Sequence, residues 1–343
     1  MVFLEKQKLE QVVTSFRGKS VLVIGDLILD RYVSIDARKL SREAPVPVGD
    51  FKGEKQSLGG AGNLANNIAT MGGKVNVVGF VGKDDQGKWI TEDLSRIGVD
   101  LSTVEVTSRP TSLKTRYFVN GFQYLRVDKE IRSDIGSDLS DSLIKSAEKK
   151  MQESDIVAIA DYDKGTLSPY LVDMVVAAAK NNGKKIIAQP KVRHYLDLRG
   201  VDYIKSNERE ASIATGITVL NESGLKNIAT NLSTRLDYRG LILTRGEKGI
   251  TVFEQNNMTT IPPLISTHDF ARAVGLRDAM TSAMALALAS GANSFEAAAL
   301  SNIVAAKRAE RLGTFVISTD DMVQMLTSSE KWLADIGQSP VRR

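Results

Sequence analysis

The sequence predicts an α/β protein, a three-layer sandwich with a mostly parallel central sheet and a small β flap. Short β-branched runs alternate with alanine-rich amphipathic stretches, the pattern of β-α-β units. Most strand-like runs are apolar at successive positions, as expected where helices cover both faces of a sheet. The 343 residues would allow two domains. Because no linker or repeat divides the chain, we expect one domain over residues 1–330 and a C-terminal tail at 331–343.

The predicted strands and helices follow one another in order. The strands are residues 21–24, 75–78, 156–159, 185–188, 203–204 and 241–244. A first helix begins near Leu64 and ends at Gly72-Gly73, since glycine is common just past a helix end. A second helix follows Trp89 and ends at Gly98. This alternation builds the main sheet and its covering helices.

Two non-helical segments, at about residues 32–58 and 110–128, form the predicted flap. The first contains Ala-Pro-Val-Pro-Val at residues 44–48, too rich in proline for a central strand but acceptable at a sheet edge. The second is typical of a hairpin, with Asn120-Gly121 as its two-residue turn. We expect both segments to lie over the mouth of the main sheet.

Composition excludes several classes of function. The chain contains no cysteine, which removes disulfides, thiolate metal sites and thiol nucleophiles together. Its only histidines are His194 and His268, so a multi-histidine metal centre is also excluded. A net charge of +4 is too small and too dispersed to indicate nucleic-acid binding. It is compatible with anionic small substrates.

No segment of the sequence is typical of a membrane or export signal. The longest alanine- and leucine-rich stretch, residues 279–289, falls short of the roughly 20 apolar residues that span a bilayer. The first 17 residues carry charges and lack an apolar core. We therefore expect a cytoplasmic protein that does not bind membranes.

Two nucleotide-binding motifs are absent. Gly18-Lys19-Ser20 resembles the end of a P-loop, but Val13 stands where that motif needs glycine and the lysine precedes the first strand. The glycine cluster at residues 59–63 follows the flap and lacks the G-x-G-x-x-G spacing of dinucleotide-binding proteins. This cluster can expose backbone to a polar ligand, with Asn63 as donor and acceptor, or form an ordinary loop into an N-capped helix.

The sequence resembles the ribokinase-like (PfkB-type) carbohydrate kinases over essentially its whole length. Within that family it looks most like the heptose 7-phosphate kinases. The resemblance rests on these motifs in order: GD at 25–26, LDRY at 29–32, EAPVPV at 43–48, GGAGN at 59–63, LRVD at 125–128, DY at 161–162 with KG at 164–165, and RLGT at 311–314. Bifunctional relatives add a nucleotidyltransferase domain with a His-x-Gly-His motif. That motif is absent from this sequence, so we expect the kinase domain only.

The resemblance implies a catalytic role for Asp278, at the start of the alanine-rich helix. In the family such an aspartate takes the proton from the acceptor hydroxyl, and backbone amides at the helix start form an anion hole. The hole here falls on Gly275, Leu276 and Arg277. The alternative is that Asp278 is a plain N-cap.

The resemblance also implies binding residues and partners, namely ATP, Mg²⁺ and a sugar phosphate. The expected sugar-phosphate ligands are Asp26, Gly59, Gly60, Asn63, Lys114, Arg116, Gln123 and Arg126; the cations among them can equally be solvated flap charge. The expected nucleotide ligands are Lys191, Asn207, Thr244, Gly246, Gly249 and Asn302. Asn207 and Glu210, three residues apart, are expected to hold Mg²⁺ through water, or else to be ordinary polar side chains at the protein surface. A homodimer through the flap is expected from relatives.

The sequence departs from the family in the catalytic loop. Arg272 stands where many relatives have an aspartate that helps to bind a monovalent cation, Arg277 replaces a glycine of the anion hole, and Gln189 replaces an aspartate. In one interpretation the arginines supply fixed positive charge, and potassium neither activates nor stabilises the protein. In the other, their side chains fill the hole, where losing an oxyanion-type stabiliser costs ~10²–10³ in rate.

Two functions follow. The first is an ATP-dependent kinase that phosphorylates the anomeric hydroxyl of a phosphorylated sugar, heptose 7-phosphate to the 1,7-bisphosphate, with Asp278 as base. The second is a degenerate homologue that binds sugar phosphate or nucleotide without turnover. A nicotinamide-dependent oxidoreductase is disfavoured because the dinucleotide motif is missing.

Overall fold

The computed structural model describes residues 4–255, 257–265, 274–309 and 316–338. Its strands are β1 (Ser20–Gly25), β2 (Leu27–Leu40), β3 (Pro47–Gly60), β4 (Lys74–Gly82), β5 (Val104–Thr107), β6 (Ser112–Val119), β7 (Phe122–Lys129), β8 (Ile156–Ala160), β9 (Lys185–Gln189), β10 (Tyr203–Asn207), β11 (Gly240–Thr244), β12 (Ile250–Glu254) and β13 (Asn257–Ile261). Its helices are α1 (Lys6–Thr14), α2 (Ala61–Thr70), α3 (Asp85–Arg96), α4 (Ser137–Met151), α5 (Pro169–Asn181), α6 (Glu208–Thr215), α7 (Glu222–Leu236), α8 (Leu276–Ala289), α9 (Ser294–Ala309), α10 (Thr319–Ser328) and α11 (Glu330–Gln338).

The main sheet has the strand order β13-β12-β11-β10-β9-β8-β1-β4-β5 within the described residues. From β11 to β5 all neighbouring strands are parallel, and only β12 and β13 run antiparallel. All six strands predicted from the sequence lie in this sheet, which confirms the α/β class. Their carboxyl ends form one edge, where α/β proteins hold ligands.

Each face of the sheet has its own apolar core. Val23 of β1 packs with Leu64 of α2 and Leu286 of α8 on one face. Ile24, the next residue along β1, packs with Leu143 of α4 and with helices α5 and α7 on the other face. Because successive strand side chains point to opposite faces, both must be apolar where helices cover both. The layers are therefore helix, sheet and helix.

The flap is a second sheet with the order β3-β2-β6-β7. Strands β6 and β7 form the predicted hairpin, and Asn120 and Gly121 at its turn have φ values of 50° and 86°. The left-handed conformation at both positions is the one that an Asn-Gly turn supplies. Pro47 begins β3, the edge strand, where a missing N–H is tolerated. The flap begins earlier than residue 32, because β2 follows β1 after a single residue.

The chain after residue 330 is not a tail throughout. Residues 330–338 form α11, because Leu333 and Ile336, three positions apart, lie on one helix face and are buried in the core. Trp332 also donates from Nε1 to the carbonyl of Pro262 at 3.1 Å. The tail boundary predicted at residue 331 is thus wrong for these residues. In the described part of the chain, no helix combines the length and hydropathy needed to cross a bilayer.

Candidate active site

The first turn of α8 places Asp278 at the ligand edge of the sheet, where its side chain is nearly buried. Asn63 donates from Nδ2 to Asp278 Oδ2 at 2.6 Å, and Gln189 donates from Nε2 to Oδ1 at 3.2 Å. The Tyr162 hydroxyl donates to Oδ1 as well. The N-cap of α8 is Gly275, and Asp278 caps nothing there. The plain N-cap interpretation is therefore wrong.

Burial raises the pKa of Asp278 to about 7. The hydrogen bond from Asn63 opposes this shift, the negative charge of Asp30 adds to it, and the positive charge of Arg308 opposes it. A general base works best when its pKa lies near the working pH. The structure thus gives this carboxylate the proton affinity of a base at neutral pH.

At position 275, the N-cap of α8, only glycine fits. Its φ is +78°, and a Cβ there would lie 2.7 Å from Asn63 Nδ2 and 2.8 Å from Arg308 Nη2. The following Leu276 packs on the core, and Arg277 turns towards α6, where Nη1 lies 2.6 Å from Glu210 Oε1. Both bulky side chains have partners away from the helix N-terminus, whose first amides have no partners within the helix.

The glycine cluster is not a loop, because β3 leads directly into α2. A Cβ on Gly59 would lie 2.6 Å from Asp30 Oδ2, and one on Gly60 would lie 2.3 Å from the carbonyl oxygen of Asp26. These glycines let β3 pass close to β2 and bring Asn63 to Asp278. The cluster therefore positions the Asn63 side chain against Asp278.

The flap cations predicted to bind the sugar phosphate are paired with carboxylates. Arg116 Nη1 lies 2.6 Å from Asp30 Oδ1, and both residues are buried. Lys114 Nζ lies 3.0 Å from Asp128 and 2.8 Å from Glu130. Arg126 also pairs with Asp128, at 3.0 Å, and is half exposed. The remaining predicted ligand on β7, Gln123, is exposed.

Asp26 holds the backbone of the loop that follows β8. Its carboxylate is buried and accepts hydrogen bonds from the backbone amides of Tyr162, Lys164 and Thr166 at 2.8, 3.1 and 3.0 Å. Burial raises its pKa, and these hydrogen bonds act against the shift. Asp26 thus fixes the loop that carries Tyr162 to Asp278, and a sugar contact by Asp26 stays a prediction.

Three cations surround Glu210 at the predicted nucleotide side. Lys191 Nζ lies 3.0 Å from Glu210 Oε1, which also accepts from Arg277. Burial alone would raise the pKa of Glu210, but Arg277 and Lys191 hold it below its ordinary value. Lys205 is fully buried next to this group, donates to the carbonyl of Arg277 at 3.1 Å, and has a pKa well below the ordinary value because of burial.

This arrangement does not fit a water-mediated Mg²⁺ at Asn207 and Glu210. The two residues form the capping box of α6, in which Asn207 Oδ1 accepts from the Glu210 amide at 2.8 Å. The Glu210 carboxylate oxygen Oε1 is paired with the positive charges of Lys191 and Arg277. A divalent cation there would face two fixed positive charges. In the described residues, no cluster of three or more acidic or histidine ligands offers another metal site.

The other predicted nucleotide ligands lie near the ends of β10, β11 and β13, and two of them make hydrogen bonds within the protein. Thr244 donates from Oγ1 to the Ser206 carbonyl at 3.2 Å, and Asn302 donates from Nδ2 to the Pro262 carbonyl at 2.7 Å. Gly249 has φ +80°, and a Cβ there would lie 2.0 Å from the Ile261 carbonyl oxygen. Gly246 has φ +59° with open space beside it. Arg272 and the RLGT motif at 311–314 lie outside the described residues.

The sequence assigned no contact with Asp278 to three contributors to the site. Gln189 is fully buried and bridges Asp278 to Thr281, whose Oγ1 donates to Gln189 Oε1 at 2.6 Å. Tyr162 belonged to a quoted motif without an assigned role, and Arg308 was not noticed. A charged residue inside the alanine-rich run of α9 was the one available signal for Arg308.

The chain belongs to the pfkB family of carbohydrate kinases, whose model matches residues 19–320. It is 34% identical over 311 residues to the bifunctional protein HldE of Helicobacter hepaticus, covering 90% of this chain and 64% of that protein. It is 36% identical over 311 residues to HldE of Caulobacter sp. (strain K31), covering 90% and 63%. The chain thus spans slightly less than two thirds of these relatives.

Solved structures confirm the ribokinase-like fold. Ribokinase of Arabidopsis thaliana complexed with ribose and ATP superposes with a TM-score of 0.70 at 19% identity, covering 90% of this chain and 99% of that one. Phosphofructokinase-2 of Escherichia coli in complex with potassium gives a TM-score of 0.72 at 17% identity, covering 91% and 99%. At these identities the likeness concerns the fold alone.

Proposed function

We propose that this protein is an ATP-dependent kinase of a phosphorylated sugar, and that its substrate class is a heptose 7-phosphate. The observation that carries the proposal is Asp278, buried at the ligand edge of the sheet with a pKa of about 7. Membership of the pfkB family and the likeness to the HldE proteins support a sugar as the acceptor. Three flap cations, each paired with a carboxylate, are the proposed contacts for the phosphate of the sugar: Arg116, Lys114 and Arg126.

The proposed chemistry is a direct transfer. The Asp278 carboxylate accepts the proton of the acceptor hydroxyl while the hydroxyl oxygen forms a bond to phosphorus. ATP supplies the phosphoryl group, and the bond from phosphorus to the ADP oxygen breaks. Asn63, Tyr162 and Gln189 hold the carboxylate in one orientation, which lowers the entropic cost of reaching the reactive geometry.

The cations Lys191 and Arg277 are the proposed contacts for the nucleotide phosphates. Both lie at the carboxyl ends of the strands and both are ion-paired to Glu210. Arginine suits this role because its guanidinium binds phosphate oxygens in a bidentate manner. No step of the proposal passes through a protein-bound metal, since Asn207 and Glu210 do not fit one.

A non-catalytic binding protein is the second candidate. The observation in its favour is that both oxygens of Asp278 already accept hydrogen bonds. A carboxylate so engaged is a weaker proton acceptor, because hydrogen bonds to the charged form favour that form.

We also propose a homodimer through the flap. Its surface exposes large apolar side chains, with Phe51 and Phe122 at 65% and 79% exposure, and carries an apolar groove of about 440 Å³. Patches of this kind mark interaction surfaces. In sedimentation velocity, Phe122→Glu is expected to shift the protein towards monomer. Ile213→Glu, which removes an apolar side chain 55% exposed on α6, is the control and is expected to leave the mass unchanged. A wild-type monomer would contradict the proposal.

An ADP-release assay over a panel of sugar phosphates tests the kinase proposal. We expect release that depends on a heptose 7-phosphate, with fructose 6-phosphate and free ribose as weaker acceptors. Ligand-induced thermal stabilisation is measured on the same panel. Stabilisation by a sugar phosphate or ATP without any ADP release would favour the binding protein, and neither response would contradict both functions.

A further inference from the structure

Arg308 is a charged side chain in an interior position of the protein. It is the penultimate residue of α9 and only 2% exposed. Removing a guanidinium from water is costly unless polar groups receive it. One such group is the carbonyl oxygen of Val274, 2.5 Å from Arg308 Nη2. Val274 is the second residue before α8, so this bond joins α9 to the turn from which Asp278 projects.

The guanidinium also lies directly behind the start of α8. A Cβ on Gly275 would lie 2.8 Å from Arg308 Nη2 and 2.7 Å from Asn63 Nδ2, so these two nitrogens flank the same glycine. Asn63 goes on to donate to Asp278 at 2.6 Å. Arg308 and Asn63 therefore both crowd the face of Gly275 from which a Cβ would project.

We propose that Arg308 is a positioning residue for Asp278: it fixes the turn at 274–275 and places a permanent positive charge near the buried carboxylate. The proposal deepens the proposed kinase function and rests on it. Arginine is suited to this position, because its planar guanidinium donates to a backbone carbonyl and remains charged at every pH of interest.

The charged and polar groups around Asp278 come from several elements. In the described residues they are Asp30 on β2, Tyr162 after β8, Arg308 on α9, Asn63 on α2 and Gln189 on β9. Asp30 acts to raise the pKa of Asp278, and Arg308 acts to lower it. Asp278 in turn acts to raise the pKa of Arg308, which burial lowers. Loss of the arginine would leave Asp30 unopposed by this charge.

The test measures the pKa of Asp278 without needing turnover. For each background, the free energy of unfolding is compared with and without Asp278→Asn across pH. The slope of that difference against pH falls to zero on the high-pH side, and the midpoint of this fall reports the pKa in the folded state. Arg308→Gln, which keeps a donor for Val274 but no charge, is expected to raise this midpoint by about one unit. Arg308→Lys is expected to stay within a few tenths of wild type. Lys307→Met is the matched control with no expected shift. Lys307 lies next to Arg308 on α9, and the substitution removes a charge paired with Asp321 of α10 at 3.9 Å.

The outcomes separate this proposal from the kinase function. An Arg308→Gln midpoint equal to wild type, or an Arg308→Lys midpoint that moves as far as that of Arg308→Gln, would overturn it. Where the glutamine variant does not fold, the lysine variant decides alone: a midpoint about one unit or more above that of wild type would overturn the proposal. In an active enzyme the acid limb of kcat is expected to move with the midpoint. A wild type without turnover would contradict the kinase function while leaving the midpoints free to support Arg308.

Discussion

Asp278→Asn is expected to stabilise the protein at high pH while removing its base. The carboxyl has an ordinary pKa of 3.8, and burial raises it to about 7 in the folded protein. The folded state therefore binds this proton more tightly than the unfolded state does. By linkage, the free energy of unfolding of the wild type falls as the pH rises from about 4 to about 7. Asparagine carries no such proton.

The size of the effect follows from the shift. A difference of about 3 pKa units corresponds to about 4 kcal/mol at 1.36 kcal/mol per unit, and this is an upper bound. Asparagine changes the hydrogen bonds with Asn63, Tyr162 and Gln189 by an amount that does not depend on pH. The prediction therefore concerns how the free energy of unfolding changes with pH. Between about pH 4.5 and 8.5, this free energy is expected to rise by roughly 1–4 kcal/mol in the variant relative to wild type.

Urea unfolding over that pH range measures the difference. Asp36→Asn is the control, because Asp36 is partly exposed and its pKa is lowered, first of all by the hydrogen bond from Arg38. Its difference from wild type is expected to stay flat over that range, because a lowered pKa changes the stability only below the ordinary value of 3.8. Parallel curves for wild type and Asp278→Asn would show that the carboxyl is not held in a costly charged state, and would refute the reasoning.

Three further substitutions probe the same site. Gly275→Ala is expected to destabilise the protein by about 2–4 kcal/mol, against about 1 kcal/mol for Gly291→Ala. Both glycines have positive φ, but only Gly275 has neighbours within 4 Å of a Cβ; equal losses in thermal unfolding would contradict the crowding. Gln189→Glu adds a carboxylate about 3.2 Å from Asp278, so the acid limb of kcat is expected to rise by more than about one pH unit; an unchanged pH profile would count against it. Arg277→Ala is expected to raise KM for ATP by about tenfold, whereas Arg245→Ala, which loses a pair with Glu208 at 2.7 Å, should leave it unchanged; equal effects would remove Arg277 from the nucleotide site.

The architecture could be predicted because its signals are local. Alternating apolar runs specify strands and helices, the Asn120-Gly121 pair specifies a hairpin, and the prolines near residue 47 specify an edge. The tail was misjudged because Leu333 and Ile336 alone give too short a pattern to mark a helix. The position of Asp278 at a helix start was also predictable from its motif.

The partners of the site residues could not be predicted, because they depend on contacts between distant parts of the chain. Asp26 was expected to face the sugar, yet it binds backbone amides about 140 positions later. Glu210 was expected near Mg²⁺, yet it accepts a hydrogen bond from Arg277, 67 positions later in the chain. Residue types indicated charge and polarity, whereas the pairing of those charges needs the fold.

The turnover of Asp278→Asn tests the central claim most directly. With a heptose 7-phosphate and ATP at about pH 8, where the wild-type carboxylate is ionised, kcat for ADP release is expected to fall by about 10²–10⁴-fold, the usual contribution of a general base. Thermal stabilisation of the variant by the same ligands is expected to persist, because asparagine has nearly the same shape. A variant that releases ADP within about tenfold of wild type would show that Asp278 is not the base.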